Sequence, residues 1–209
     1  MDIIAKLKEY KVIPVVTIKD VEKALPLAKA LKDGGLPCAE ITFRVAGAAE
    51  CIKRITTEYP DMFVGAGTVL TTEQADEAIK AGAKFIVAPG FNKEVVQYCQ
   101  SKGVPMIPGV CTPTEIEAAL SIGLTCLKFF PAEAAGGVKM IKALTAPYTM
   151  ISIMPTGGVS PENIGSYLAC KSVVCCGGSW MTPNNLIDEG NFDKITELVK
   201  EAVNLVKDM

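Results

Sequence analysis

The stretch "VIPVVTIKDVEKALPLAKALKDGG", residues 12–35, joins a β-branched apolar run to an amphipathic segment. The apolar run over residues 12–18 is typical of a buried strand, and the remainder has apolar residues at helical spacing. Similar units begin near residues 38, 62, 84, 104, 125, 150 and 172, with no linker or low-complexity tract between them. Eight units in strict alternation predict parallel strands covered by helices.

The number of units favours closure into a (β/α)₈ TIM barrel, an α/β fold whose active site lies at the carboxyl ends of the strands. The alternative is an open doubly wound sheet, which is less favoured because no early strand is followed by the GxGxxG pattern. We therefore expect a single barrel domain that spans residues 1–209.

Composition excludes several classes of function. Lys and Arg total 21 against 23 for Asp and Glu, so no net basic field exists to attract nucleic acid or an anionic membrane. No apolar run approaches the roughly 20 residues of a membrane span, and the charged N-terminus does not match a signal peptide. We expect a cytoplasmic protein whose eight cysteines, which lack CxxC spacing, are reduced core residues.

The chain contains no histidine. Its absence removes the commonest general base, the usual Ser/His and Cys/His nucleophile pairs and most transition-metal sites. Any reaction must therefore use Lys, Glu, Asp, Arg, hydroxyl or backbone groups, and we expect no metal.

In the second predicted strand, "AEITFR", the side chains of Glu40, Thr42 and Arg44 share one face, and three apolar residues share the other. The apolar face suits the layer beneath the helices, so the polar face would point into the barrel or its mouth. Ionisable groups in such a place indicate chemistry. The alternative is an internal Glu40–Arg44 ion pair that serves packing.

By the same alternation, Lys128 in the sixth predicted strand, "TCLKFF", lies opposite Leu127 and Phe129 and enters the barrel. A buried amine loses hydration, which favours its neutral form, and a neutral amine is the nucleophile that forms a Schiff base with a ketone. The alternatives are a lysine that snorkels from the strand end or one that neutralises Glu40.

Glycines mark three further strand ends. In "GAGTVL", Gly65 and Gly67 allow close approach to the backbone, and Thr68 adds a hydroxyl. "PTGG" (residues 155–158) and "GGSW" (residues 177–180) follow the seventh and eighth predicted strands, whose loops commonly bind phosphate in this barrel. Because neither loop contains Lys or Arg, backbone N–H groups, a serine hydroxyl and a helix dipole would hold the anion. Ordinary glycine turns are the alternative.

The motifs "EITFR", "VGAGTVL", "LKFFPAEAAGGVK", "PTGGVSPENI" and "GGSW" together resemble the 2-keto-3-deoxy-6-phosphogluconate (KDPG) aldolase family, also active on 4-hydroxy-2-oxoglutarate (KHG). The similarity covers nearly the whole chain. It implies a metal-independent class I aldolase without a cofactor, assembled as a homotrimer. Its partner would be a phosphorylated keto acid, cleaved to pyruvate and glyceraldehyde 3-phosphate, and KHG would give pyruvate and glyoxylate.

The resemblance also implies a role for each matched residue. Lys128 would form the Schiff base, and Glu40 would be the general acid and base. The remaining matched positions bind substrate: Arg44 and Thr68 at the carboxylate, Phe130 and Thr156 on the pocket wall, and Gly157, Gly158, Gly178 and Ser179 at the phosphate. The chain departs from many relatives at Ala88, where they have serine, and this change bears on polar contacts near the fourth strand and on substrate preference.

Two other functions remain open. A phosphosugar isomerase or epimerase could use the same barrel and phosphate loops, but it would need an acid–base pair or a metal and would leave Lys128 without a task. A non-catalytic protein that binds a phosphorylated ligand is the second alternative. Loss of Lys128 or Glu40 would be its signature, and both residues are present.

Overall fold

The computed structural model describes residues 2–209 and shows an α/β fold in which parallel strands alternate with helices. The strands are β1 (Val12–Val16), β2 (Cys38–Thr42), β3 (Phe63–Gly67), β4 (Ile86–Val87), β5 (Met106–Ile107), β6 (Gly109–Val110), β7 (Cys126–Phe129), β8 (Ser152–Pro155) and β9 (Cys176–Gly178). The helices are α1 (Ile3–Tyr10), α2 (Ala24–Asp33), α3 (Ala48–Glu58), α4 (Thr72–Lys80), α5 (Lys93–Ser101), α6 (Pro113–Leu120), α7 (Gly137–Thr145), α8 (Ile164–Leu168), α9 (Asn184–Glu189) and α10 (Phe192–Val206), with a 3₁₀ turn at Val21–Lys23.

The strands form two parallel sheets. Six follow the order β5-β4-β3-β2-β1-β9, and three follow the order β6-β7-β8. Single bridges pair Ile153 with Val173 and Thr156 with Gly177, which link the β8 edge to the segment containing β9. β5 and β6 come from one predicted strand, which is interrupted at Pro108 because proline has no N–H to donate to a neighbouring strand.

The predicted alternation is confirmed, although the observed strands are shorter than the apolar runs. Each of the eight predicted strands appears, and the fourth is reduced to two residues. Helices α1 and α9 were not among the predicted elements. α1 begins after Asp2, whose carboxylate accepts hydrogen bonds from the backbone N–H groups of Ile4 and Ala5, and its Leu7 is buried in the core. The charged N-terminal segment is therefore an amphipathic helix with one apolar face.

The predicted polar residues Glu40 and Lys128 lie on strands of the two different sheets, and both side chains face the interior. Glu40 pairs with Val15 on one side and Gly65 on the other, while Lys128 pairs with Gly109 and Met154. Paired residues of parallel strands point to the same face. The side chains of Glu40, in the six-stranded sheet, and Lys128, in the three-stranded sheet, meet in the space between the two sheets.

The cysteines behave as small apolar residues, as predicted. All eight thiols are free, and seven are buried, with only Cys111 partly exposed. Burial raises the pKa of the Cys38 and Cys175 thiols well above the ordinary value, because the thiolate would lose hydration. Within residues 2–209, no helix is both long and apolar enough to cross a membrane.

Aromatic rings fill the interior near the amino-terminal ends of β3 and β4, and their packing requires a glycine at position 65. Phe63 and Phe85 stack with ring centroids 4.6 Å apart, and the Phe85 ring lies over Gly65. A Cβ atom at Gly65 would overlap this ring, so the glycine provides the space in which Phe85 packs.

We expect Gly65→Ala to lower the free energy of unfolding by about 1–3 kcal/mol, the usual cost of overpacking a core. Urea denaturation measures the change. Gly90→Ala is the matched control, because a Cβ atom at Gly90 would meet nothing within 4 Å. Equal stability of the two variants would show that Phe85 moves aside without cost.

Candidate active site

A buried ion pair lies at the centre of the site. The Lys128 Nζ atom is 3.6 Å from the Glu40 Oε1 atom, and the two side chains are 4% and 1% exposed. This distance is too long for a hydrogen bond. Among residues 2–209, neither carboxylate oxygen of Glu40 has a hydrogen-bond partner. An amine and a carboxylate thus stand together, and the carboxylate lone pairs are free for a ligand.

Glycine makes room for the Glu40 carboxylate. Gly67 of β3 pairs with Thr42 of β2, and a Cβ atom at Gly67 would overlap the Glu40 side chain. Any larger residue at position 67 would push the carboxylate away from the Lys128 amine. The close approach predicted for "GAGTVL" is confirmed: Gly65 is covered by Phe85, and Gly67 by Glu40.

Arg44 and Thr68 meet at the mouth of the site. The Arg44 Nε–H group donates to the Thr68 Oγ1 atom at 3.2 Å. Thr68 has a φ of 57°, in the left-handed region that β-branched residues avoid. Such a backbone costs about 1–3 kcal/mol, and strain of this kind clusters at functional sites. The alternative of a Glu40–Arg44 ion pair is wrong: in the described part of the chain, Glu40 pairs with Lys128, and Arg44 contacts Thr68.

A cleft of about 360 Å³ opens beside Arg44. Its wall is formed by Val15, Thr17, Arg44, Phe130, Thr156, Gly157, Gly158, Val159, Gly177, Gly178, Ser179 and Asn184. The Lys128 Nζ atom lies 5.3 Å from the centroid of the Phe130 ring, which forms part of the cleft wall. Arg44 is the cation on that wall.

The hydroxyl of Thr156 is a second polar group prepared for a ligand. Thr156 is 6% exposed, and its Oγ1 atom has no hydrogen-bond partner within residues 2–209. A Cβ atom at Gly177 would overlap this hydroxyl. The glycine opposite Thr156 therefore leaves its hydroxyl free, and a buried polar atom without a partner is costly unless a ligand satisfies it.

Neighbouring groups fix the glycine loop after β8. The carbonyl oxygens of Thr156 and Gly157 accept hydrogen bonds from the backbone N–H groups of Ala132 and Glu133, at 2.9 and 3.0 Å. The Gly158 carbonyl accepts from the Asn163 side chain at 2.9 Å. Gly157 and Gly158 have φ values of 99° and 82°, a conformation that favours glycine. The loop is thus held in one conformation beside the cleft.

The sequence reasoning missed the role of Glu133. Its carboxylate accepts a short hydrogen bond from the buried Tyr167 hydroxyl, and burial together with this bond raises the pKa of Tyr167. A Cβ atom at Gly158 would meet the Glu133 side chain at 2.7 Å, and one at Gly137 would approach the same carboxylate at 3.2 Å. The glycines of "AAGGVK" and "PTGG" were the available signal, since both leave space for this bond.

The predicted site residues come together, with one correction. Arg44, Phe130, Thr156, Gly157, Gly158, Gly178 and Ser179 line the cleft, and Thr68, Glu40 and Lys128 adjoin it through the contacts above. The expected helix dipole has little support, because α8 and α9 have only five and six residues.

Thr17 and Asn184 line the cleft and were not predicted. Ala88 is buried, and its backbone N–H group bonds to the Ile107 carbonyl.

The acidic and thiol side chains do not gather into a metal site. Within residues 2–209, no group of three or more Cys, Asp or Glu residues is placed to hold an ion. The polar groups of the site are therefore the amine, the carboxylate, the guanidinium, several hydroxyls and the backbone.

Comparison with known proteins identifies the family. The family model for KDPG and KHG aldolase matches residues 3–198. The chain belongs to the KDPG and KHG aldolase family. A 2-dehydro-3-deoxy-phosphogluconate aldolase of Treponema pallidum is 50% identical over 96% of this chain and 95% of its own. A KHG/KDPG aldolase of Escherichia coli K12 is 44% identical over 92% of this chain and 90% of its own.

A solved KDPG aldolase has the same architecture. The enzyme from Legionella pneumophila superimposes with a TM-score of 0.92 at 39% identity and covers 95% of this chain and 96% of its own. That crystal structure holds pyruvate, captured at low pH as a covalent carbinolamine intermediate. A carbinolamine is the adduct of an amine and a carbonyl group.

Proposed function

We propose that the protein is a class I aldolase that cleaves 2-keto-3-deoxy-6-phosphogluconate to pyruvate and glyceraldehyde 3-phosphate. The observation that carries this proposal is the buried Lys128–Glu40 pair, in which the carboxylate has no hydrogen-bond partner within residues 2–209. Membership of the KDPG and KHG aldolase family supports it. A phosphate-binding protein would have no use for this pair, and an isomerase or epimerase would use it for proton transfer alone, without the Schiff base of an aldolase.

The reaction begins at Lys128. A proton passes from Lys128 to Glu40, and the resulting neutral amine attacks the C2 ketone to form a carbinolamine. Glu40 returns that proton to the carbinolamine hydroxyl, which leaves as water and gives an iminium ion. Glu40 then takes the proton of the C4 hydroxyl, directly or through one water molecule. The C3–C4 bond breaks, its electron pair moves to the iminium nitrogen, and glyceraldehyde 3-phosphate leaves. Protonation of the enamine at C3 and hydrolysis release pyruvate and free Lys128.

The ends of the substrate are held by two different kinds of group. The Arg44 guanidinium, oriented by its bond to Thr68, binds the carboxylate and so fixes the ketone for attack. Thr156 and Phe130 line the reacting centre. The phosphate lies against Gly157, Gly158, Gly178 and Ser179, where backbone N–H groups and one hydroxyl are the available donors.

Four broader features are part of the proposal. The nine strands would form one (β/α)₈ barrel domain in which β5 and β6 count as a single strand, and the pairing of β9 with β1 and the bridges beside β8 support this closure. A homotrimer and a cytoplasmic location follow from the resemblance and the composition. Cleavage of KHG is a second activity, favoured by the name of the Escherichia coli relative.

Borohydride reduction tests the covalent step. Added with pyruvate, borohydride should inactivate the protein and attach one pyruvyl group to the peptide that contains Lys128, as measured by mass spectrometry. Lys128→Met should fold, because an apolar chain of similar length replaces a buried amine, and it should not be labelled. Labelling of another peptide, or none, would remove the basis for the aldolase mechanism.

Replacement of the proton-transfer group gives a second test. Glu40→Gln keeps the size of the side chain but cannot take a proton, so kcat for KDPG cleavage should fall by about 10²- to 10⁴-fold. The apparent affinity for pyruvate, measured from the concentration dependence of trapping, should change far less. Turnover near that of the unchanged protein would assign proton transfer to another group.

The phosphate assignment is tested at Gly158. In Gly158→Val, the added side chain would strain the backbone and displace Glu133. Loss of hydrogen bonds to a charged group should raise KM for KDPG by about 10- to 100-fold and should affect KHG, which has no phosphate, much less. Gly103→Val is the control, since Gly103 also has a positive φ, of 69°, but its Cβ atom would meet nothing within 4 Å. Equal losses on both substrates would mean that Gly158 serves folding alone.

A further inference from the structure

Two threonines share a hydrogen bond at the edge of the cleft. The Oγ1 atoms of Thr17 and Thr42 are 2.8 Å apart. Thr42 is 1% exposed, whereas Thr17 is only partly buried and forms part of the cleft wall. One hydroxyl is therefore enclosed by protein, and the other is presented to whatever occupies the cleft.

Thr17 lies between the two ends of the proposed substrate site. It directly follows β1, whose neighbours in the sheet are β2, which leads to Arg44, and β9, which ends at Gly178. Val15, on the same face as Thr17, is apolar and pairs with Glu40. The inner face of this strand thus changes from apolar to polar at the level of the cleft.

A hydroxyl can both donate and accept a hydrogen bond. The Thr17–Thr42 bond uses one of these capacities of Thr17, whichever group donates. Thr17 can therefore still donate to or accept from a neutral hydroxyl of a ligand, while the bond to buried Thr42 restricts its rotation. Such a pair fits an alcohol better than it fits a charged group.

We propose that Thr17 is a specificity-determining residue that binds the C5 hydroxyl of the substrate, and that Thr42 is its positioning residue. This inference rests on the proposed function, in which the carboxylate lies at Arg44, the C4 hydroxyl at Glu40 and the phosphate at the glycine loops. The C5 hydroxyl is the polar group of KDPG that those residues leave without a partner, and the hydroxyl of Thr156, which has no partner within residues 2–209, is placed at the reacting centre.

The addition of pyruvate to an aldehyde isolates this contact. The C2 hydroxyl of glyceraldehyde 3-phosphate becomes the C5 hydroxyl of the product, whereas 3-oxopropyl phosphate has the same aldehyde and phosphate but lacks that hydroxyl. Thr17→Val removes the hydroxyl of the protein at nearly constant volume. We expect kcat/KM for glyceraldehyde 3-phosphate to fall by about three- to tenfold, and that for 3-oxopropyl phosphate to change by less than about twofold.

Three further variants define the role. Thr17→Ser restores a hydroxyl and should restore the preference for the hydroxylated aldehyde. Thr42→Val leaves Thr17 in place but removes its anchor, so the preference should fall in part. Thr57→Val, a Thr-to-Val change on the exposed face of α3, is the matched control and should keep the full preference.

Equal loss on both aldehydes in Thr17→Val, or no loss on either, would overturn the assignment to the C5 hydroxyl. Borohydride trapping of pyruvate on Lys128, measured in the unchanged protein and in Thr17→Val, separates this result from the proposed function. If the unchanged protein is not trapped, the aldolase mechanism itself fails. If trapping is intact and the aldehyde preference does not change, only the role of Thr17 is wrong.

Discussion

The site depends on a buried amine and a buried carboxylate that stand close without a direct hydrogen bond. At 3.6 Å, the Lys128–Glu40 contact gives each charge a partner in a place where an isolated charge would be very costly. Because the carboxylate has no other hydrogen bond within residues 2–209, it can accept a proton from a ligand without first breaking a contact. The same pair therefore makes burial tolerable and leaves both groups available for chemistry.

Small residues in the strands make that arrangement possible. Gly67 leaves space for the Glu40 carboxylate, Gly177 for the Thr156 hydroxyl, and Gly65 for the Phe85 ring below them. Each glycine costs conformational entropy on folding, roughly 0.5–1 kcal/mol relative to alanine. The Phe85 ring, stacked on Phe63, fills the volume that Gly65 leaves, whereas the space at Gly67 and Gly177 is taken by polar side chains of the site.

Much of this organisation could be predicted because it follows from periodicity. The two-residue alternation of strands placed Glu40 and Lys128 on the inner face, and the strand–helix repeat predicted the parallel sheet. The partners of individual groups could not be predicted, since contacts such as Glu133–Tyr167 and Thr17–Thr42 join residues 34 and 25 positions apart in sequence. The short length of α8, which leaves little dipole for a phosphate, was also hidden, because amphipathic spacing does not mark where a helix stops. The six-residue helix α9 was not predicted at all.

The distribution of charge explains how one cleft can accommodate a substrate with two anionic ends. Arg44 is the cation on the cleft wall, and it lies at the mouth beside Thr68, whereas the glycine loops contain neither Lys nor Arg. A carboxylate can form two parallel hydrogen bonds with the Arg44 guanidinium, so it is stabilised more by this group than a phosphate would be by its charge alone. A phosphate, with more acceptor oxygens, can be satisfied by several N–H groups whose position is fixed by the Ala132, Glu133 and Asn163 bonds. In the proposed site, the two ends of the substrate would be distinguished by the kind of donor each meets, and this difference would orient the ketone toward Lys128.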